Sequence, residues 1–346
     1  MSKKKKDDEA IVIQLQQRKY DPNKPPPTEQ VVFIIESKNI GTLQNFITIT
    51  GLQKSGKTRY LSAMIAAGLM NTDIFGMRIH LPENKRRIAY FDTEQGDYDF
   101  YRTMDGIRMF CQSDKLPANF DSYNLREDEP REIVWMIEKY LQINSDCGLL
   151  VIDGILDLIE SFNDEAESKR LINTLKKITK VYNLLALLTL HKGKTTANTL
   201  GHLGSMADRA AQSVLLVEKV KERNSFLLKA DYLRSADDFT PIEIYFEKNE
   251  HTWKQTFYNP EQDTKVKRLQ IKPDEYDIET HRQTVVKIFS FQEVVSYDQI
   301  TKDIMELYAV SRQWARSCVK HLLEKQLIFR TEYGYTNRQQ AKLYIQ

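Results

Sequence analysis

The sequence predicts an α/β protein built on a mostly parallel sheet, with a small second α/β unit behind it. Apolar, strand-like runs alternate with helical stretches through residues 31–258, the pattern of a sheet whose strands are joined by helices. Residues 149–153 (Leu-Leu-Val-Ile-Asp) are apolar up to the last position, as in a parallel strand buried on both faces. From His281 onward the pattern changes to three short helical segments and two strand-like pieces around Gly334.

Residues 1–30 read as a tail and linker. Lys3 to Lys6 run into Asp7, Asp8 and Glu9, and Pro22, Pro25, Pro26 and Pro27 favour extended backbone over helix. Residues 31–35 form a short β-rich run, and residues 45–50 alternate and stop at Gly51. Leu61, Ile65 and Leu69 recur at helical spacing, so a helix covers about residues 57–71. Residues 87–92, 149–153 and 184–190 read as strands, and 131–141 and 165–182 as helices. Residues 213–217, 226–230 and 242–247 are strand-like without long helices between them, so the sheet is expected to finish antiparallel. Residues 259–280 are polar, carry two prolines and read as a linker, leaving 281–346 as the second domain.

The segment Gly51-Leu52-Gln53-Lys54-Ser55-Gly56-Lys57-Thr58 fits the phosphate-loop pattern G-x-x-x-x-G-K-[ST] at every fixed position, between a strand and a helix. Glycine lets backbone N–H groups ring a phosphate, and the following helix N-terminus adds a favourable field. Gly51, Gln53, Lys54, Ser55 and Gly56 would form the cradle, with Lys57 on the β- and γ-phosphates and the Thr58 hydroxyl on Mg²⁺. Asp153 ends the most apolar strand, where a carboxylate holds the same metal through water in P-loop ATPases. Many phosphate-loop motors place a glutamate next, but Gly154 follows here. Glu94, at the end of the strand after the loop helix, is the candidate that orients the attacking water. His191 ends a third strand and is a candidate γ-phosphate sensor. The stretch 192–206 after it carries three glycines, Lys192, Lys194 and His202, and reads as a flexible basic loop suited to a nucleic-acid backbone or simply to solvent.

This order resembles the RecA/DnaB-like ATPases, most closely the RepA-like hexameric helicases of plasmids and mobile elements. The resemblance covers roughly residues 30–255. It rests on the phosphate loop, on Phe91-Asp92-Thr93-Glu94-Gln95, on residues 149–154, on Leu190-His191-Lys192 and on residues 204–217. The displaced glutamate separates this group from AAA+ and ABC-type ATPases. The resemblance implies a RecA-like P-loop NTPase core, a ring, usually of six, with ATP at subunit interfaces, and DNA in the channel. It also implies a lysine and an arginine from a late strand that reach the neighbour's nucleotide. Lys229 fits the lysine, but Asp231 stands where the arginine would be. Arg234 is the nearest arginine and Arg209 an alternative.

The last segment resembles a winged helix-turn-helix, with helices at 299–308 and 311–325 and a β-wing from residues 327–330 and the Tyr333-Gly334-Tyr335 turn; residues 343–345 are a further strand-like piece. Ile300, Ile304, Leu307, Val319, Leu322 and Leu323 would form its core, and Ser311 would cap the second helix. Arg312, Arg316, Lys320 and, at the same exposed spacing, Gln313 would meet DNA. Residues 281–346 carry ten lysines and arginines against six acidic residues, while the whole chain is only +2. Such units also serve as protein-docking modules.

Overall charge excludes little, since 50 basic residues face 48 acidic ones. Cys111, Cys147 and Cys318 are in no metal-ligand spacing, which fits a reducing compartment. No apolar run reaches the ~18 residues of a membrane span, and the N-terminus lacks a signal-peptide stretch, so a cytoplasmic protein is expected. The leading expectation is a DNA-dependent ATP hydrolase acting in replication or mobilisation of a mobile element, as a ring helicase. The alternatives are an ATP-switched DNA-binding regulator or recombination accessory protein without helicase activity, and a small-molecule kinase, which would need an acceptor pocket and usually an arginine-rich lid.

Overall fold

The computed structural model describes residues 11–25, 28–193, 199, 201–221, 223–258, 272–290, 292–308, 310 and 312–338. The chain divides into two compact units, Met1–Tyr258 and Asn259–Gln346.

The first unit is built on a nine-stranded sheet in the order β13-β12-β11-β10-β3-β9-β8-β6-β7. Six strands are parallel: β10 (Ser213–Val220), β3 (Phe46–Gly51), β9 (Leu185–His191), β8 (Cys147–Asp153), β6 (Arg87–Asp92) and β7 (Phe120–Asn124). β11 (Ser225–Leu233), β12 (Ile242–Glu247) and β13 (Thr252–Thr256) complete it in antiparallel fashion, as the missing helices between them foretold.

The central strands are buried on both faces, and their alternate side chains enter two separate cores. Ile47, Ile49, Ile88, Tyr90, Leu149 and Val151 pack with helix α1 (Lys57–Met70) and with Ile107 of α2 (Asp97–Phe110). Ala89, Phe91, Leu150, Ile152, Ala186 and Leu188 face α3 (Pro130–Ile143), α4 (Glu165–Val181) and α5 (Gly201–Ala210). The period of two thus feeds both faces of one sheet. A smaller antiparallel sheet runs in the order β2 (Lys38–Thr42), β1 (Val31–Ile35), β5 (Met77–Ile79) and β4 (Asp73–Ile74). Only β1 was legible in the sequence.

Two further segments differ from expectation. Residues 11–17 are helical, although the N-terminus read as tail; its prolines lie beyond that turn and do not forbid it. Residues 201–206 belong to helix α5, so the last part of the glycine-rich stretch is helix rather than loop. Lys192 pairs in an isolated bridge with Thr199, whose hydroxyl bonds Asp208 at 2.8 Å and closes that loop at its base. Lys194 lies outside the described residues.

The second unit holds α6 (Ile278–Ile288), α7 (Tyr297–Tyr308), α8 (Arg312–Glu324) and a hairpin of β14 (Phe329–Thr331) with β15 (Gly334–Thr336). Defined structure is present before His281, where the sequence placed the start of the second domain. Pro273–Glu275 form a turn, Asp277 caps α6, and buried His281 holds the Pro273 carbonyl at 2.8 Å. Ile300, Ile304, Val319 and Leu322 are buried as expected, but Leu307 is 43% exposed. The inward row of α7 runs through residues 300, 304 and 308, so Tyr308 takes that place and meets Trp314 of α8. The second strand of the hairpin is Gly334–Thr336; residues 343–345, like Ser311, lie outside the described residues. Among the described residues no helix is long and apolar enough to cross a membrane.

Candidate nucleotide site

Four parallel neighbours, β3, β9, β8 and β6, end on the same edge of the sheet. Their last residues are Gly51, His191, Asp153 and Asp92, and the register sets Gly51 beside His191 and Asp92 beside Asp153. The crevice at such an edge is where open α/β sheets take ligands.

The loop from Gly51 to Gly56 is shaped by close approaches. A Cβ on Gly51 would stand 2.3 Å from the Val217 carbonyl, and one on Gly56 would stand 2.3 Å from the Phe226 ring. Gly56 also has φ +97°, so it turns the chain into α1 where other residues would be strained. Among the described residues, Ser55 Oγ is the one buried side-chain polar atom without a hydrogen-bond partner. An orphaned buried hydroxyl in a glycine loop is what a phosphate oxygen would satisfy.

Lys57 donates to Gly51 O at 3.3 Å, to Leu52 O at 3.2 Å and to His191 Nδ1 at 3.1 Å. Lysine only donates, so Nδ1 accepts and the imidazole hydrogen sits on Nε2. That nitrogen reaches both carboxylate oxygens of Glu94, at 3.0 and 3.1 Å. His191 therefore joins the loop lysine to Glu94. Burial lowers the Lys57 ammonium from its ordinary value, against the pull of Asp153 and Glu94. Burial pushes the Glu94 carboxyl up, but the hydrogen bond from His191 and the nearby Lys57 ammonium outweigh it and leave Glu94 below its usual value.

Gly154 explains how Glu94 gets there. A Cβ on Gly154 would lie 2.2 Å from Glu94 Oε1. The residue after Asp153 is vacant of side chain, and the carboxylate from the adjacent strand end fills that space.

Asp153, 5% exposed, accepts from Thr58 Oγ1 at 3.1 Å and from Thr189 Oγ1 at 2.6 Å. Burial, followed by repulsion from Asp92, pushes its carboxyl up to about 6, while the Thr189 bond pulls the other way. A cation would relieve that penalty. Hard oxygen donors from Thr58 and Asp153 suit Mg²⁺, which takes one or two side chains and draws the rest of its shell from phosphate and water. Among the described residues no group of three acids, histidines or cysteines could hold a metal alone.

Asp92, Tyr90, Thr189 and Arg126 were not singled out from sequence. Thr189 had a signal: it is the polar residue in an apolar strand, two before His191 and so on the same face. Arg126 had none; it follows β7, and its Nη1 occupies space beside Gly96, 2.8 Å from where a Cβ would stand.

Two cavities meet at Glu94 and His191. One, of about 340 Å³, is lined by residues 53–58, Asp153, Arg59, Arg102 and Phe226. The other, of about 640 Å³, shares Gln53, Glu94 and His191 and extends to Arg126, Asp128, Asp157 and Glu160 over an apolar floor that includes Ile133 and Leu156.

In the first unit the side chains of the remaining candidates have partners of their own. Lys229 is paired with Glu218, Lys192 with Asp231 at 2.7 Å, and Arg234 donates to Ala211 O at 3.0 Å near the end of α5. Arg209 bonds the Ser205 carbonyl of its own helix. In the second unit Arg312, Gln313, Arg316 and Lys320 are all exposed on α8. Arg312 pairs with Asp298 at 2.9 Å and Lys320 approaches Glu324 at 3.8 Å, whereas Arg316 meets no acid among the described residues.

Compared with known proteins, the chain matches no family model and no curated sequence.

Proposed function

We propose that this protein is an ATP hydrolase of the RecA/DnaB-like type that acts on DNA, in the manner of the RepA-like ring helicases of mobile elements. The observation that carries the reading is the convergence of Lys57, Thr58, Asp153, His191 and Glu94 on one sheet edge, with the glutamate supplied by the strand beside that of Asp153. In this reading Gly51, Gln53, Lys54, Ser55 and Gly56 cradle the phosphates, and Lys57 leaves the loop carbonyls for the β- and γ-oxygens. Thr58 and Asp153 hold Mg²⁺, which neutralises phosphate charge. Glu94 orients the attacking water and takes its proton. His191 touches both Lys57 and Glu94, so a nucleotide that draws Lys57 away also changes what holds the glutamate.

Gly154→Ala is expected to cut ATP turnover by at least about ten-fold with nucleotide binding kept, because misplacing a catalytic group by about 1 Å costs that much or more. Steady-state turnover beside a binding titration reads it; turnover within about two-fold of wild type would mean that Glu94 does not act from this position.

Ring formation would require a cation from the neighbouring subunit. Lys229 and Arg234 serve only if they leave Glu218 and the carbonyl of Ala211. The second unit is read as a winged helix-turn-helix, with α8 the helix that enters the groove. Residues 259–346 are expected to bind duplex DNA with affinity that falls as salt rises. Arg316→Ala should flatten the log–log salt slope by about one unit if it meets phosphate, or relax sequence preference if it meets a base. A folded fragment without DNA affinity at low salt would favour a protein-docking role. Turnover with and without single-stranded DNA, with native mass measured in ATP, tests the whole reading: stimulation and a ring support it, and a monomer indifferent to DNA overturns it.

The 640 Å³ cavity beside Glu94 favours one second reading, phosphoryl transfer to a small acceptor bound there. ATP consumption that depends on an added acceptor and not on DNA would select it.

A further inference from the structure

Between the two strand ends that carry Asp92 and Asp153 lies one hydroxyl, that of fully buried Tyr90. Its oxygen is 2.7 Å from Asp92 Oδ2 and 3.1 Å from Asp153 Oδ2, and Gln95 Nε2 approaches it at 3.4 Å. A phenol has one hydrogen. It goes to the closer acceptor, Asp92, leaving two oxygens with no hydrogen between them on the Asp153 side. The remaining capacity of Asp92 is filled in the same way. Its Oδ1 accepts the backbone N–H of Glu94 at 3.0 Å and of Gln95 at 2.8 Å, and its Oδ2 accepts Gln95 Nε2. Gln95 is itself held from the other end by Thr103 Oγ1 at 3.0 Å.

We propose that Asp92 is a positioning residue that captures the Tyr90 hydrogen, so that Asp153 Oδ2, which already accepts Thr58 Oγ1 at 3.1 Å, takes no second donor and keeps capacity for the cation, and that it fixes the backbone of Glu94 with its other oxygen. The inference rests on the assignment of Asp153 to the metal. It assigns Asp92 no contact with nucleotide or metal.

Asparagine separates the two duties. In Asp92→Asn the oxygen must stay toward the N–H groups of Glu94 and Gln95, because two donors face it. The amide nitrogen then occupies the Oδ2 place and donates to Tyr90, whose own hydrogen turns to Asp153 Oδ2. Gln95 answers by flipping its amide, which Thr103 tolerates because its hydroxyl can donate instead to Asp99 O at 3.1 Å. The Glu94 turn survives while Asp153 carries a competing donor.

The test is Mn²⁺ binding to the full chain with a non-hydrolysable ATP analogue, followed by the EPR signal of the free ion, so that no turnover is needed. Asp92→Asn is expected to weaken Mn²⁺ about ten-fold, the scale of a hydrogen bond to a charged group. Adding Tyr90→Phe should restore affinity to within about two-fold, because the competing hydrogen is gone. Loss without rescue, or no loss, overturns the proposal. If Asp92→Asn does not fold, Tyr90→Phe alone decides: unchanged Mn²⁺ affinity supports it, and tightening of about ten-fold overturns it, since Tyr90 would already have been donating to Asp153. A wild-type chain that binds the analogue without Mn²⁺ uptake would instead remove the metal assignment on which the inference rests.

Discussion

Glu94→Gln is expected to bind ATP with near-wild-type affinity and to hydrolyse it about 10²–10⁴-fold more slowly, the range a positioned general base supplies. The substitution is nearly isosteric, and its amide oxygen still accepts from His191 Nε2, which now lies 3.0 Å from Glu94 Oε1. The turn that carries it is held through backbone N–H bonds to Asp92, which the change does not touch. What is lost is the ability to take a proton. Bound-nucleotide titration and single-turnover hydrolysis on the same sample read the two effects apart. If Asp153→Asn gave this behaviour and Glu94→Gln were silent, the roles would have to be exchanged.

Lys57→Ala is expected to lower ATP affinity by about two orders of magnitude or more, since charge-assisted hydrogen bonds are worth roughly 1.5–3 kcal/mol each and the lysine would make more than one to phosphate. The fold should survive. Gly51 O keeps the Lys192 N–H at 3.0 Å, and no core contact depends on the ammonium. Equilibrium binding of a fluorescent ATP analogue, with thermal unfolding as the fold control, gives the answer. Wild-type affinity would remove the phosphate-loop reading.

Much of this arrangement was legible in the sequence because it is local. A glycine loop between a strand and a helix, and carboxylates at the ends of apolar strands, are patterns of neighbouring residues. Residues 87–92 and 242–247 were read with the bounds the strands have. Register and strand order are not local. Nothing in residues 87–92 says that Asp92 will stand beside Asp153, and so the Tyr90 bridge could not be read. The same holds for Gly154, which looked like a departure from a motif and is the space that Glu94 fills. The basic residues tell the opposite lesson. Lys192, Lys229, Arg234 and Arg312 looked available for partners, yet each finds an acid or a carbonyl inside its own unit. Short edge strands such as Asp73–Ile74 left no signal, because two residues carry no period.

The most direct test of the central claim is phosphate release from ATP·Mg²⁺ by the purified chain, run beside Glu94→Gln and Lys57→Ala, with and without single-stranded DNA. The account requires release by the wild type, background rates for both variants, and retained ATP binding in the glutamine variant alone. Release that persists undiminished in either variant, or no release from the wild type with or without DNA, would contradict it.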